Sequence, residues 1–313
     1  MNISRKQFIR SSSLAAAMAS FKFSGLMADP LGETITQKPS ISIFSKHLHW
    51  LDYTEMAKLA KDLGYDGIDL TVRKDGHVSP EKVSTDLPKA VEIIRAAGLE
   101  VYTITTDIRT SEEPHTKSIL KTAAALGIKN YRMGWYAYTG NDMPTDLANF
   151  NKQLKGLAVL NEQYQIHGDY ENHTGRFGGA IWDLWLTLKD LNPLWTGCQF
   201  DIRHATVDGA EAWSKNLELV QSYLGSITIK DFQWEKKNNK WSVQNVPLGQ
   251  GMVDFKQYFK LLKKQGFDKP ISQHFEYPLG GAESGARVLS TPKEEVIGHM
   301  RTDLRTLKNW LED

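Results

Sequence analysis

Asp62-Leu63-Gly64-Tyr65-Asp66-Gly67-Ile68-Asp69-Leu70-Thr71-Val72 contains the end of one element and the whole of the next. The stretch before it, Thr54–Leu63, is amphipathic and of helical length, and Gly64 stands where a helix ends in the left-handed conformation that glycine enters at no steric cost. Gly67–Val72 then reads as a strand. Outward from this joint the same grammar repeats, with Gly98, Gly127 and Gly266 each just past a helical pattern. Strands are expected at Ile41–Ser45, Gly67–Val72, Val101–Thr106, Asn130–Trp135, Gly168–Glu171, Gln199–Ile202, Ser226–Lys230 and Ile271–Phe275. Helices follow them at Thr54–Leu63, Pro80–Ala97, Thr116–Leu126, Thr145–Gln165, Ile181–Leu191, Gly209–Leu224, Phe255–Gln265 and Thr291–Leu311. Eight β/α units without a linker fit one α/β domain. No G-x-G-x-x-G follows the first strand and no G-x-x-x-x-G-K-[ST] occurs, so an open nucleotide-binding sheet lacks its phosphate signatures. The expectation is a single (β/α)8 TIM barrel over residues 29–313, with function at the C-terminal ends of its strands.

The remaining composition narrows the function. Lys and Arg number 38 against 37 Asp and Glu, so no broad basic surface exists for nucleic acid or an anionic membrane. Cys198 is the single cysteine, which excludes an intramolecular disulfide and a thiolate metal cluster and fits a small buried apolar residue. Ser4-Arg5-Lys6-Gln7-Phe8-Ile9-Arg10 precedes the weakly apolar run Ser11 to Ala19, the pattern of an export signal over residues 1–28. It is too short to span a membrane. It is similar to a twin-arginine signal, with Lys6 at the second arginine position; an amphipathic N-terminal helix is the competing reading. A periplasmic or otherwise exported chain is expected, with no membrane insertion of the mature protein.

The strand ends collect His47 and His49, Arg73 and His77, Asp107 and Arg109, Arg132 and Trp135, then Glu171-Asn172-His173, Asp201-Ile202-Arg203-His204, Lys230-Asp231 and His274-Phe275-Glu276-Tyr277. Glu171, Asp201 and Glu276 could converge, and converging carboxylates repel unless a cation or protons compensate them. Such oxygen-rich ligation suits Mn or Mg, while imidazole admits Zn, Co or Fe.

Glu-Asn-His on strand five, Asp-x-x-His on strand six, Lys-Asp after strand seven and Glu ending strand eight together resemble the xylose-isomerase-like barrel superfamily, which includes ketose 3-epimerases, inosose dehydratases and endonuclease-IV-like enzymes. Phe200–Ala205, Ile229–Trp234 and Pro247–Asp254 look like a branch common in exported proteins of glycan-degrading bacteria. The resemblance implies metal ligation by Glu171, Asp201 and Glu276, with His204 as a further ligand, and proton exchange with substrate by Glu171 and Glu276. One position departs. The family's His-x-Lys-Asp is here Thr228-Ile229-Lys230-Asp231, so His204 or His274 completes the sphere, or the metal binds weakly, or Lys230 supplies the positive charge.

The implied chemistry is proton transfer at carbon beside a carbonyl, with Lys230 and Arg203 against developing oxyanion charge and His173 relaying protons or binding hydroxyls. His77, Arg73, Arg203, Trp135 and Trp234 are the substrate-binding candidates, with Trp182 a further stacking surface. An isomerase or epimerase acting on a non-phosphorylated carbohydrate is the first expectation. A 3-keto-glycoside lyase or hydratase using the same groups is the second, and a silent sugar-binding barrel the third. Competing structural roles remain open: an ion pair of Glu171 or Asp201 with Arg132 or Arg203, packing for most tryptophans, a charged hairpin tip for Glu235–Trp241, and a turn or a lid for Pro247–Gly251.

Overall fold

Ile41–Phe44 (β1), Gly67–Val72 (β2), Glu100–Thr106 (β3), Asn130–Arg132 (β4), His167–Glu171 (β5), Thr196–Asp201 (β6) and Leu224–Ile229 (β7) lie parallel in the computed structural model, which describes residues 38–140 and 142–312. A hairpin, Asp231–Lys237 (β8) and Lys240–Val246 (β9), intervenes before the last barrel strand, Ile271–Gln273 (β10). The ring closes where β1 pairs with β10, Ile41 opposite Ile271 and Ile43 opposite Gln273. The expected export segment, residues 1–28, lies outside the described residues. No helix among those described is long and apolar enough to cross a membrane.

The helices are Tyr53–Leu63 (α1), Val83–Ala96 (α2), Thr116–Ala125 (α3), Met143–Tyr164 (α4), Ile181–Leu188 (α5), Ile202–Gly209 (α6), Trp213–Leu219 (α7), Phe255–Lys264 (α8) and Lys293–Glu312 (α9). Asp52 caps α1 through a capping box with Glu55, and Gly64 ends it at φ 93°.

Successive strand residues face opposite sides of the sheet. Ile41, Ile43, Ile68, Leu70, Phe200, Ile227 and Ile229 are buried in the apolar core. The alternate positions turn polar groups into the lumen, where Asp69 on β2 accepts from Thr105 of β3 (2.8 Å) and Ser272 of β10 (2.6 Å). Two positions require glycine through close approach. A Cβ on Gly225 would stand 2.1 Å from Asp169 Oδ1, and one on Gly197 2.1 Å from the Tyr223 carbonyl.

Several expected boundaries move, and those at the strand ends bear on the site. Strand four stops at Arg132 and the last barrel strand at Gln273, so Trp135, His274 and Glu276 sit on the loops just beyond. Strand six starts earlier, at Thr196, and gives way at once to α6, because the Asp201 carboxylate caps that helix by accepting from the His204 amide at 3.0 Å. Ile202, expected as strand, and Arg203 and His204 therefore form the first turn of a helix. The helix expected over Gly209–Leu224 is the shorter α7 with 3-10 turns on both sides.

Candidate active site

At the C-terminal ends of the strands Phe44, Lys46, Arg73, Arg132, Trp135, Glu171, His173, Lys230, His274 and Glu276 line one small, partly open cleft of ≈ 40 Å³. That is room for about one water. A larger groove of ≈ 450 Å³, lined by Phe259, Leu262, Phe267, Trp310 and several lysines, lies at the opposite end and carries no carboxylate or imidazole. Volume alone would choose the wrong end.

Lys230, just past β7, is the centre of the site. Its Nζ lies 2.9 Å from Asp201 Oδ2 and 3.9 Å from both Glu171 Oε1 and Glu276 Oε1, and only 5% of its side chain is exposed. Burial works against the ammonium, but Asp201, Glu276 and Glu171 outweigh it and raise the Lys230 pKa, so the group is charged at neutral pH. Each flanking glutamate has a second cation. Arg132 Nη1 binds Glu171 Oε2 in a buried ion pair, and Lys46 Nζ stands 3.2 Å from Glu276 Oε1. Burial alone would raise both carboxyls; Arg132 and Lys230 hold Glu171 below the usual range, and Lys230 and Lys46 hold Glu276 far below it. Asp201 behaves oppositely, since burial, reinforced by Glu171, exceeds the help of Lys230 and lifts it to about 6.

The histidines are neutral, and hydrogen bonds fix which nitrogen carries the proton. His173 lies 2.9 Å from the Thr174 carbonyl through Nδ1, which must donate, leaving the Nε2 lone pair free; the ring stacks between Trp135 and His204. His204 Nδ1 accepts from Arg203 Nη1 at 2.9 Å, so its proton is on Nε2, the nitrogen 3.8 Å from Asp201 Oδ2. His274 stacks on Phe44, and its Nε2 meets Ser272 Oγ, whose own proton goes to Asp69. Burial, then the nearby Lys230 charge, push His204 and His274 well below the ordinary imidazole range. His47 is a packing residue: Nδ1 donates to the Ala282 carbonyl and Nε2 accepts from the Phe275 amide.

The structure brings together Glu171, Glu276, Lys230, His173, Arg73 and Trp135 of the sequence-derived set, with Asp201 and His204 directly behind Lys230. Arg203 stands beside this group, held by Asn245 of β9 at 2.7 Å and packed over Phe232. His77 lies against His49 rather than on the cleft wall, and Trp234 and Trp182 are exposed, on the hairpin and on α5. Phe44 and Lys46 complete the wall without having been singled out, and His274, weighed from the sequence as a metal ligand, lines it as well. Lys46 had a signal, since it is the residue before His47 at the end of strand one. The segment from Pro247 to Gly251 is a turn clamped by Asp231, whose Oδ2 accepts from the Gly249 and Gly251 amides at 3.0 and 2.9 Å.

A divalent ion among Glu171, Asp201, His204 and Glu276 does not fit these residues as they stand. The Lys230 ammonium occupies the point the carboxylates share, and Arg132 already neutralises Glu171. His204 could offer Nε2 to a metal only by moving its proton to Nδ1, against an Arg203 donor. Thr228 offers only a hydroxyl at the position where the resemblance led to an imidazole being expected. No group of three or more His, Cys, Asp or Glu among the described residues is placed to hold a metal.

A closed parallel barrel with a charged cleft at the C-terminal strand ends defines the class of α/β-barrel proteins whose sites are built from strand-end loops. The match of residues 57–291 to the xylose isomerase-like TIM barrel model makes it specific: the chain belongs to that family. Among curated proteins it is 28% identical over 150 residues to the candidate L-ribulose-5-phosphate 3-epimerase SgbU of Haemophilus influenzae, a match covering 45% of this chain and 50% of that one. The chain thus spans about half the length of that relative. Among solved structures the 3-keto-D-glucoside 4-epimerase YcjR of E. coli superposes with a TM-score of 0.63 at 13% identity, over 86% of this chain and 100% of that one. The candidate 3-DHS dehydratase AsbF of Bacillus anthracis gives 0.62 at 12%, over 86% and 98%. At these identities the two structures share the fold. The family's members and neighbours include epimerases and a dehydratase.

Proposed function

We propose that this protein is a carbohydrate isomerase or epimerase that moves a proton at a carbon beside a carbonyl on a non-phosphorylated sugar. One observation carries the reading: two ionised carboxylates, Glu171 and Glu276, flank one buried cation at equal distances of 3.9 Å. A carbonyl oxygen directed at Lys230 would place the neighbouring carbon between two acceptors of its proton. Each glutamate is held below the usual carboxylate range by its cations and is therefore ionised, free to take a proton and quick to return it, while the same ion pairs weaken it as a base. His173 Nε2 is a lone pair on the same wall, suited to a substrate hydroxyl. Trp135, packed beneath Arg132 and against His173, offers an aromatic surface to the apolar face of a sugar ring.

A non-phosphorylated substrate is supported by the count of available cations. Lys46, Arg132 and Lys230 each have a carboxylate, which leaves Arg73 and, beside the cleft and already held by Asn245, Arg203 for a phosphate dianion that ordinarily takes several charged donors. Export of the mature chain, read from residues 1–28, fits such a substrate and is part of the proposal.

The test is deuterium incorporation from deuterated water into a panel of free sugars and 3-keto-glycosides, followed by NMR. Incorporation with inversion or carbonyl migration is the expected result, and Glu276→Gln should lower its rate about 10²- to 10⁴-fold, the usual contribution of a positioned acid/base. Release of an aglycone would move the assignment to a lyase. Sugar binding without any exchange would leave a binding protein.

A further inference from the structure

We propose that Lys230 takes the place of a divalent ion in this member of the family: its ammonium, held among Glu171, Asp201 and Glu276, is the resident cation of the site, and the enzyme polarises its substrate's carbonyl without a metal. The inference rests on the proposed proton transfer for its catalytic half and on the geometry alone for its metal half.

Charge balance makes the case. Within the cleft and directly behind it stand four cations, Lys46, Arg73, Arg132 and Lys230, and three carboxylates, Glu171, Asp201 and Glu276. The site is therefore net positive with its histidines neutral. A metal site of oxygen donors works the other way, gathering negative charge that only the ion offsets. Here that charge is already offset, ion by ion. Adding a divalent cation would require displacing a buried ammonium from its 2.9 Å contact with Asp201 and stripping Glu171 from Arg132.

The substitution at residue 228 is the other half of the same change. Thr228 pairs with Asp201 on β6 and with Ser272 on β10, so its side chain lies one inward step below Lys230. Its hydroxyl is buried and has no hydrogen-bond partner in the protein. An imidazole there would reach the carboxylates from below and compete with the ammonium for them; threonine leaves them to Lys230. In the reaction the electron pair released by the departing proton would collect on the carbonyl oxygen, facing Nζ. The proton goes to one glutamate and returns from that same glutamate when the carbonyl migrates; for inversion the other glutamate first takes a proton from water and delivers it to the opposite face while the first releases its own to solvent, with no change in oxidation state of the enzyme.

The test begins with Mn²⁺ alone, titrated into the full-length parent by calorimetry and by electron paramagnetic resonance. No saturable binding at about 100 µM is expected; one Mn²⁺ per chain bound tighter than about 10 µM would overturn the proposal. The double variant Thr228→His/Lys230→Ala should gain a site, with Mn²⁺ affinity at least about 100-fold above the parent, because it frees Asp201, empties the point the three carboxylates share and supplies an imidazole. On any substrate that exchanges deuterium, the parent's rate should be unchanged after EDTA dialysis, and Lys230→Ala should lose about 10²- to 10³-fold. Exchange abolished by EDTA and restored by Mn²⁺ would sink the idea. If the parent exchanges with nothing, the functional reading fails, while the Mn²⁺ titration still decides whether the ammonium has displaced the metal.

Discussion

The barrel lumen solves the problem of buried carboxylates twice, once below and once above, and the two solutions differ in kind. Lower down, Asp69 accepts from two hydroxyls, and Asp169 is served by Ser226 at 2.9 Å, Asn130 at 3.3 Å and His167 at 3.0 Å. At the top Glu171, Asp201 and Glu276 face Arg132, Lys46 and Lys230. At Asp69 the donors are neutral hydroxyls, which satisfy its lone pairs without removing its charge, and burial lifts it to about 6; Asp169 stands between the two cases, since it raises the pKa of the His167 imidazole beside it. Charged partners hold the two glutamates ionised across the physiological range. The first arrangement favours structure, because it tolerates a proton. The second keeps bases ready in a dry place, at the risk of an uncompensated charge when one partner is removed.

The sharpest way to break that contrast is Arg132→Ala. It strands Glu171 in the interior with only the more distant Lys230, and breaking a buried pair from one side typically costs about 3–5 kcal/mol. Urea unfolding should show a loss of that size, largely recovered in Arg132→Ala/Glu171→Gln, where no charge is left to strand. A loss below about 1 kcal/mol would mean that Lys230 alone suffices for Glu171 and that the upper cluster is more tolerant than its geometry implies.

The difference between the two levels was only half visible in the sequence. The barrel was legible because its cues are local: helical periodicity, glycines ending helices at Gly64, Gly98, Gly127 and Gly266, all at positive φ, and the charged tip at Glu235–Trp241, where Asn238 and Asn239 make a two-residue turn at φ 51° and 58°. The chemical residue types at the strand ends were legible too. Their partnerships were not. Lys46 and Glu276 are 230 residues apart and meet only because β1 closes against β10, and Arg132 reaches Glu171 from the neighbouring strand. Direction was equally hidden: His77 and Trp234 follow strand ends as His173 does, yet His77 turns toward His49 and Trp234 rides outward on the hairpin. The early start of α6 hung on one side chain, Asp201, acting as a cap where a strand-end ligand was expected.

Asp69→Asn tests the lower level, and its effect depends on pH. The folded pKa of Asp69, raised by burial against the help of Ser272 and Thr105, lies above its unfolded value, so the folded chain holds that proton more tightly. Its favourable contribution is complete below the ordinary carboxyl value of 3.8 and disappears as pH rises to about 6. The rise is worth about 3 kcal/mol. The stability of Asp69→Asn relative to the parent should therefore improve by about that amount between pH 3.5 and pH 7, measured by unfolding at each pH. A flat difference would show that the hydroxyls offset the burial of the charge, making the two levels alike.

The smallest expected effect falls on Arg73, the cleft cation without a carboxylate partner, which packs over Phe44 at 5.6 Å. Its charge stabilises no buried acid by direct contact, so Arg73→Ala should cost only about 1 kcal/mol of stability, the scale of a cation–ring contact. Its guanidinium is free for a substrate oxygen, and losing one such charged hydrogen bond should raise KM about tenfold with kcat little changed. Steady-state kinetics on the exchanging sugar separate the cases. A matching fall in kcat would mean that Arg73 acts on the reacting atoms and that the upper level holds two working cations; a loss of stability near that of Arg132→Ala would make it one more structural counter-ion.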